Sequence, residues 1–183
     1  NVGPGAKQSF LACQASGMST GFSGSAVIES TDTNVIAIGK AYGSGLSTAF
    51  VGASGGSSRV ALPYVRWATD ADYAAGTQQR TFLTIQNVGD SDLAAGDVTV
   101  SYVKFDGTVE GTDSLPAIPA GGKVNSNAAA AGLTEFGIYG SSYGGGVIVE
   151  GPTGSELAVV GRVSSQVGPS SFASEDYNGM DAP

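Results

Sequence analysis

The chain contains two imperfect copies of one pattern. Residues 22–50 read FSGSAVIESTDTNVIAIGKAYGSGLSTAF, and residues 143–172 read YGGGVIVEGPTGSELAVVGRVSSQVGPSSF. One inserted residue brings them into alignment throughout. Phe22 meets Tyr143, and Gly24 meets Gly145. Ala26-Val27-Ile28-Glu29 meets Val147-Ile148-Val149-Glu150, and Val35-Ile36-Ala37-Ile38-Gly39-Lys40 meets Leu157-Ala158-Val159-Val160-Gly161-Arg162. Phe50 meets Phe172. Each copy has two short apolar runs, a polar turn between them, and a Gly followed by a cation. Runs this short, rich in Val and Ile and bounded by turn residues, predict strands, and each copy is expected to form a hairpin. The runs are nearly all apolar, as in strands covered on both faces.

Between the copies lies a different block, also rich in strand signals. Residues 60–67 are a strand candidate, and Pro63 makes it an edge or first strand because it cannot donate to a ladder. Residues 81–87 (TFLTIQN) read as a strand. Residues 97–105 alternate, with Val98, Val100 and Tyr102 on one face. Asp106-Gly107 suits a tight hairpin turn with positive φ. Residues 115–122 form a Pro-rich connector into a short strand at 123–127, and residues 128–131 could start a short helix. The chain therefore reads as a half-repeat (1–58, a candidate donor strand plus hairpin), a full repeat (59–173) and a polar tail (174–183). Antiparallel strands in this number and spacing predict an all-β, immunoglobulin-like β-sandwich. A strand from a neighbouring subunit could complete it, since the half-repeat lacks its own N-terminal strands.

Composition narrows the function. Gly accounts for 29 of 183 residues, and charged residues for only 13%. This suits short strands joined by tight turns, under a Ser- and Thr-rich surface of extracellular character. A net charge of −8 argues against nucleic acid, whose phosphates require a basic footprint. No apolar run approaches the roughly 20 residues of a membrane span, so no membrane insertion is expected. Asn1 is read as the start of a mature chain after leader removal, or of a fragment. There is no His, which removes the commonest general base. Cys13 is the single cysteine, so no intrachain disulfide can form.

Residues 62–165 resemble Ig-like repeats of secreted and surface proteins from filamentous, Chloroflexota-type bacteria. The matching stretches are Leu62-Pro63-Tyr64-Val65, Thr84-Ile85-Gln86-Asn87-Val88-Gly89 and Val98-Thr99-Val100-Ser101-Tyr102. Asp106-Gly107, Pro119-Ala120-Gly121-Gly122 and residues 145–150 continue the match. The pattern is also similar to bacterial adhesion-type sandwich modules. The resemblance implies a sandwich in a secreted, extracellular or cell-surface setting, and it brings no active-site residues with it. The chain departs from a tandem array by starting in mid-repeat.

Several residues are candidates for chemistry or assembly. Asp90, Asp92 and Asp97 are the best calcium group, because spaced carboxylates and loop carbonyls can supply the oxygens this ion takes. Asp70 with Asp72, and Glu175 with Asp176, are weaker groups; otherwise no cofactor is expected. Gly21-Phe22-Ser23-Gly24-Ser25 only superficially resembles a nucleophile elbow, and without His it has no base. No enzymatic activity is expected. Tyr64, Trp67, Tyr73, Tyr139, Tyr143 and Tyr177 could form a stacking face or pack in the core. Cys13 is expected to be a buried small hydrophobe. Ser9, Phe10, Leu11, Ala12 and Cys13 form a candidate donor strand, with the tail from Ser170 as the alternative donor. The expected function is a structural subunit of an extracellular filament, pilus or sheath. Copies of the chain would join head to tail by strand exchange. The alternative is a monomeric adhesion or carbohydrate-binding module that recognises surface glycans.

Overall fold

The computed structural model describes residues 2–18, 24–31, 34–43, 45–138, 144–168 and 171–183. The strands in chain order are β1 (Ile38–Gly43), β2 (Leu46–Val51), β3 (Arg59–Leu62), β4 (Gln79–Asn87), β5 (Thr99–Val103) and β6 (Val109–Ser114). They continue with β7 (Lys123–Ser126), β8 (Gly146–Glu150), β9 (Leu157–Gly168), β10 (Ser171–Asn178) and β11 (Met180–Asp181). One short helix, α1 (Asp70–Ala74), and a 3-10 turn at Ala12–Gln14 complete the elements.

Two antiparallel sheets form the body, a β-sandwich. One runs β10-β9-β4-β7 and the other β11-β3-β8-β5-β6. Strand alternation explains how they meet. On β4, Thr81, Leu83, Ile85 and Asn87 are buried, while the residues between them face outward. On β5 and the residue before it, Val98, Val100 and Tyr102 share the buried face, as the alternation predicts. The register sets Ile85 opposite Val159, and Val149 between Val60 and Val100. One apolar core forms between the layers, and it includes Leu62, Leu83, Ile85, Tyr102, Phe136 and Val149. Burying each such side chain contributes about 1.5–3 kcal/mol, before the entropy of ordering it is subtracted.

The structure departs from the sequence expectations at several points. The second copy is not a hairpin: β8 lies in the five-stranded sheet between β3 and β5, and β9 lies in the four-stranded sheet between β10 and β4. Residues 151–156 carry the chain from one layer to the other. Strands β8 and β9 are both interior strands with one face buried in the core and the other half-buried, not the two fully covered faces that the apolar runs suggested. In the first copy, residues 26–29 form no strand. The hairpin there is β1–β2 instead, running from Ile38↔Val51 to Gly43↔Leu46.

The strand expected at 60–67 stops at Leu62, immediately before Pro63. Residues 128–131 make turns, with Asn127 Oδ1 accepting from the Ala130 N–H at 3.2 Å. The helix lies at 70–74, where Thr69 caps the Asp72 N–H at 3.2 Å. Nor is 174–183 a free tail. It lies in β10, paired with β9, and β11, paired with β3, and Tyr177 packs against the core.

Candidate assembly site

The half-repeat carries core residues without a core. In the second copy, Val147, Val149, Leu157 and Val159 are 0–4% exposed. Their counterparts in the first copy are Ala26, Ile28, Val35 and Ala37. Ile28 is 61% exposed and Val35 is 51%, and Val27, Ile36 and Ile38 stand still further out. Isolated exposed hydrophobes are ordinary; a consecutive set at core-type positions marks a surface that needs covering.

The β1–β2 hairpin is the counterpart of β9–β10. In both, the Gly of the second run lies under an aromatic ring of the adjacent strand. A Cβ on Gly39 would meet the Phe50 ring at 2.4 Å, and one on Gly161 would meet the Tyr177 ring at 2.8 Å. Only glycine leaves room for a ring that close. The two hairpins differ in their surroundings. On its other edge β9 has β4, whereas β1 pairs with β2 alone. The hairpin lies beside β10, with Gly45 next to Ser171 and Asn178 Nδ2 donating to the Val51 carbonyl at 2.6 Å. No ladder joins β2 to β10 among the described residues. The Thr48 hydroxyl and the Asn178 Oδ1 atom are buried there without a hydrogen-bond partner. An apolar cleft of about 370 Å³ opens between hairpin and sheet, lined by Ile38, Phe50, Val51 and Tyr177 among others. The seam is thus loosely joined.

Among the described residues, the opposite flank of the sandwich presents two strand edges with no strand paired to them. β6 ends the five-stranded sheet and β7 ends the four-stranded one. A chain of hydroxyls holds these edges together. Ser126 Oγ on β7 donates to Asp113 Oδ2 on β6 at 2.7 Å and lies 3.3 Å from the Tyr102 hydroxyl on β5. Burial raises the Tyr102 phenol above its ordinary value of 10.0, the Ser126 bond lowers it, and Asp113 nearby raises it. Val109, the first residue of β6, is 52% exposed, and Phe105 (77%) lies in the preceding hairpin turn beside Gly144.

The remaining sequence candidates are scattered. Ser9, Phe10, Leu11, Ala12 and Cys13 are all exposed, and residues 12–14 form the 3-10 turn. Cys13 is therefore not the buried hydrophobe expected: it is exposed, as are the other residues of the stretch 9–14. Asp90, Asp92 and Asp97 are exposed loop residues. Asp92 Oδ1 accepts from the Ala120 N–H at 2.9 Å, and Asp97 Oδ2 from the Ala94 N–H at 2.7 Å. Among the described residues, no three acidic, Cys or His groups come together to hold a metal ion. Gly21, Phe22, Ser23, Tyr139 and Tyr143 lie outside the described residues.

Tyr64, Trp67 and Tyr73 do cluster, organised by two arginines that sequence reading missed. Arg66 lies 4.1 Å from the centre of the Tyr64 ring. Arg80 lies 4.5 Å from that of Trp67 and 4.8 Å from that of Tyr73, and it pairs with Asp70. Trp67 also packs edge-on against Phe82 at 5.6 Å. Tyr177 adjoins the Tyr64–Arg66 pair, its hydroxyl donating to the Tyr64 carbonyl. Burial raises its phenol above the ordinary range. Alternation placed Arg80 on the outer face of β4, but nothing in the sequence indicated which rings it would meet.

No protein-family model and no curated protein matches the chain. It is similar to the crystal structure of Thermotoga maritima 1070, with a TM-score of 0.46 and 12% identity, covering 69% of this chain and 96% of that one.

Proposed function

We propose that the chain is a structural subunit of an extracellular filament, pilus or sheath that polymerises head to tail by β-strand exchange. The observation that carries this reading is the exposure of core-type residues in the half-repeat beside strand edges left open elsewhere. Strand addition satisfies both needs, because main-chain hydrogen bonds fill the edge while alternate side chains are buried. The contact joins unlike surfaces, so each copy keeps a donor and an acceptor for further copies, and the chain of contacts extends as an open polymer where the rotation does not close a ring. The chain has one cysteine, so such an assembly would be held by packing and hydrogen bonds rather than by intrachain disulfides. The Ig-like character and the secreted setting belong to the same proposal.

Electron microscopy of the purified chain tests it, alongside variants lacking residues 1–15 and residues 1–37. The expected result is regular filaments from the full chain and none from the longer truncation. Dispersed monomers from the full chain at every concentration would overturn the reading. The arginine–aromatic cluster favours the second reading, a monomeric module that stacks on surface glycans. Binding of the monomer to a glycan array, lost in Tyr64→Ala and Phe82→Ala, would support it.

A further inference from the structure

We infer that the donor is the run covering residues 25–29 and β1, and that it occupies the open flank of a second copy, with residues 25–29 along β6 and β1 along β7. The inference rests on the polymer reading above and names its two surfaces.

The internal repeat assigns the donor. The counterpart of residues 26–29 is β8, a strand of the five-stranded sheet. The counterpart of β1 is β9, a strand of the four-stranded sheet. The run is therefore patterned to contribute one strand to each layer, crossing between them as residues 151–156 do. An acceptor must offer an open edge in each layer on one flank. β6 and β7 meet this requirement, and the Ser126–Asp113 bond holds them side by side. The flank at β10 does not, since β2 already lies along it, and β11 covers part of β3. Exposed Val109 gives β6 an apolar side chain to match Ile28.

The geometry also gives direction. The hairpin leaves its own sandwich beside β10, and the acceptor lies on the far flank, so each copy donates at one side and receives at the other. Antiparallel addition would run residues 25–29 in the sense of β5 and β1 in the sense of β4. Both are reversed relative to their counterparts β8 and β9, so the whole run turns over as one piece. Residues 9–13 have no counterpart in the full repeat that would place them in a sheet.

One contact points the other way. Ser25 Oγ donates to the Gly121 carbonyl, just before β7 of its own chain, at 3.4 Å. The test must therefore separate capture of the chain's own edge from capture of another's.

Cross-linking does this. In a Cys13→Ser background, Val27→Cys chains, altered at the equivalent of outward-facing Ile148, are mixed with Thr112→Cys chains, and Ile38→Cys chains with Asn125→Cys chains. Each disulfide must then join two molecules. The expected result is both cross-links in filaments, identified as linked peptides by mass spectrometry. Phe10→Cys chains should give neither link. Ile28→Asp and Val35→Asp should each raise the concentration needed for assembly by about tenfold or more, with thermal unfolding of the sandwich unchanged. Filaments in which Phe10→Cys reaches β6 or β7 while positions 27 and 38 do not would overturn the inference and leave the polymer reading standing. A 27–112 disulfide formed within dilute monomers that carry both cysteines would also overturn it. Absence of any polymer would overturn both.

Discussion

Tyr102 shows how one side chain can tie the two layers together. Its ring packs edge-on against Phe136 at 5.4 Å. Ser126 gives its own proton to Asp113, so its oxygen is free to accept from the Tyr102 hydroxyl. The ionised phenol is disfavoured in this buried place, so the folded pKa lies above the unfolded one. The sign follows: the contribution to stability is complete below pH 10 and is lost as pH rises toward the folded value. Tyr177 is shifted the same way. Urea titrations from pH 9 to 11.5 should therefore show falling stability, with a shallower fall in Tyr102→Phe. Gly161 gives a steric prediction. A Cβ there would meet Tyr177 and Leu62 at under 3.0 Å, and Gly161→Ala should cost about 1–3 kcal/mol by chemical denaturation. At this scale the sequence was legible where the cause is local. Asp106-Gly107 forms the turn expected, with Gly107 at φ 85° and Asp106 accepting from the Thr108 N–H. Asn87 was visible only as part of a motif. Its buried amide bonds the carbonyls of Ser91 and Ile118 and accepts from the Gly89 N–H, which fixes the following loop. Those partners come from 2 to 31 residues away, and no spacing rule announces them.

Among the elements, the same residue pattern has two fates. Val149 and Ile28 occupy equivalent repeat positions; one is fully buried and the other is 61% exposed. In monomeric protein, Val149→Ala should cost about 2 kcal/mol through lost burial and a residual cavity, whereas Ile28→Ala should stay within about 0.5 kcal/mol. Urea unfolding of both variants checks the contrast. Apolar content and β-branching foretold strands in both copies, but only one copy has neighbours to pair with. A run becomes a strand when an edge is available, and edges are a property of the rest of the chain. The missing hairpin at 147–162 has the same origin, since the turn residues fit a hairpin and a crossover equally well. Helix α1 was the opposite case. Thr69 followed by Asp70 and Asp72 is a helix-start signal, overlooked because five residues show no periodicity.

For the molecule as a whole, the all-β sandwich was legible because the alternation of β4 and β5 specifies which face is buried. The proposed assembly flank was not, because it depends on which strands finish last in each sheet. Charge acts at this scale. Copies carrying −8 repel one another. The screening length shrinks from about 10 Å at 0.1 M salt to about 3 Å at 1 M. Polymerisation followed by light scattering should therefore begin at lower protein concentration as salt is raised. A threshold that rises with salt would mean that attraction between charges, rather than apolar burial, drives the contact.

Strand β3 is paired with β8 on one side and with β11 on the other, Ala61 lying opposite both Ile148 and Met180. Its partners are thus distant in sequence, and closing such long loops is slow. The sandwich should fold on the millisecond-to-second scale or more slowly, limited by the search for these pairings. Throughout that search the apolar run before β1 is already exposed, and so are the edges it could seize. A chain of this design would be exposed to premature contact with its siblings while still unfinished. Cells that produce it would need to keep the chains dilute, chaperoned or in transit until β3 has found both of its neighbours.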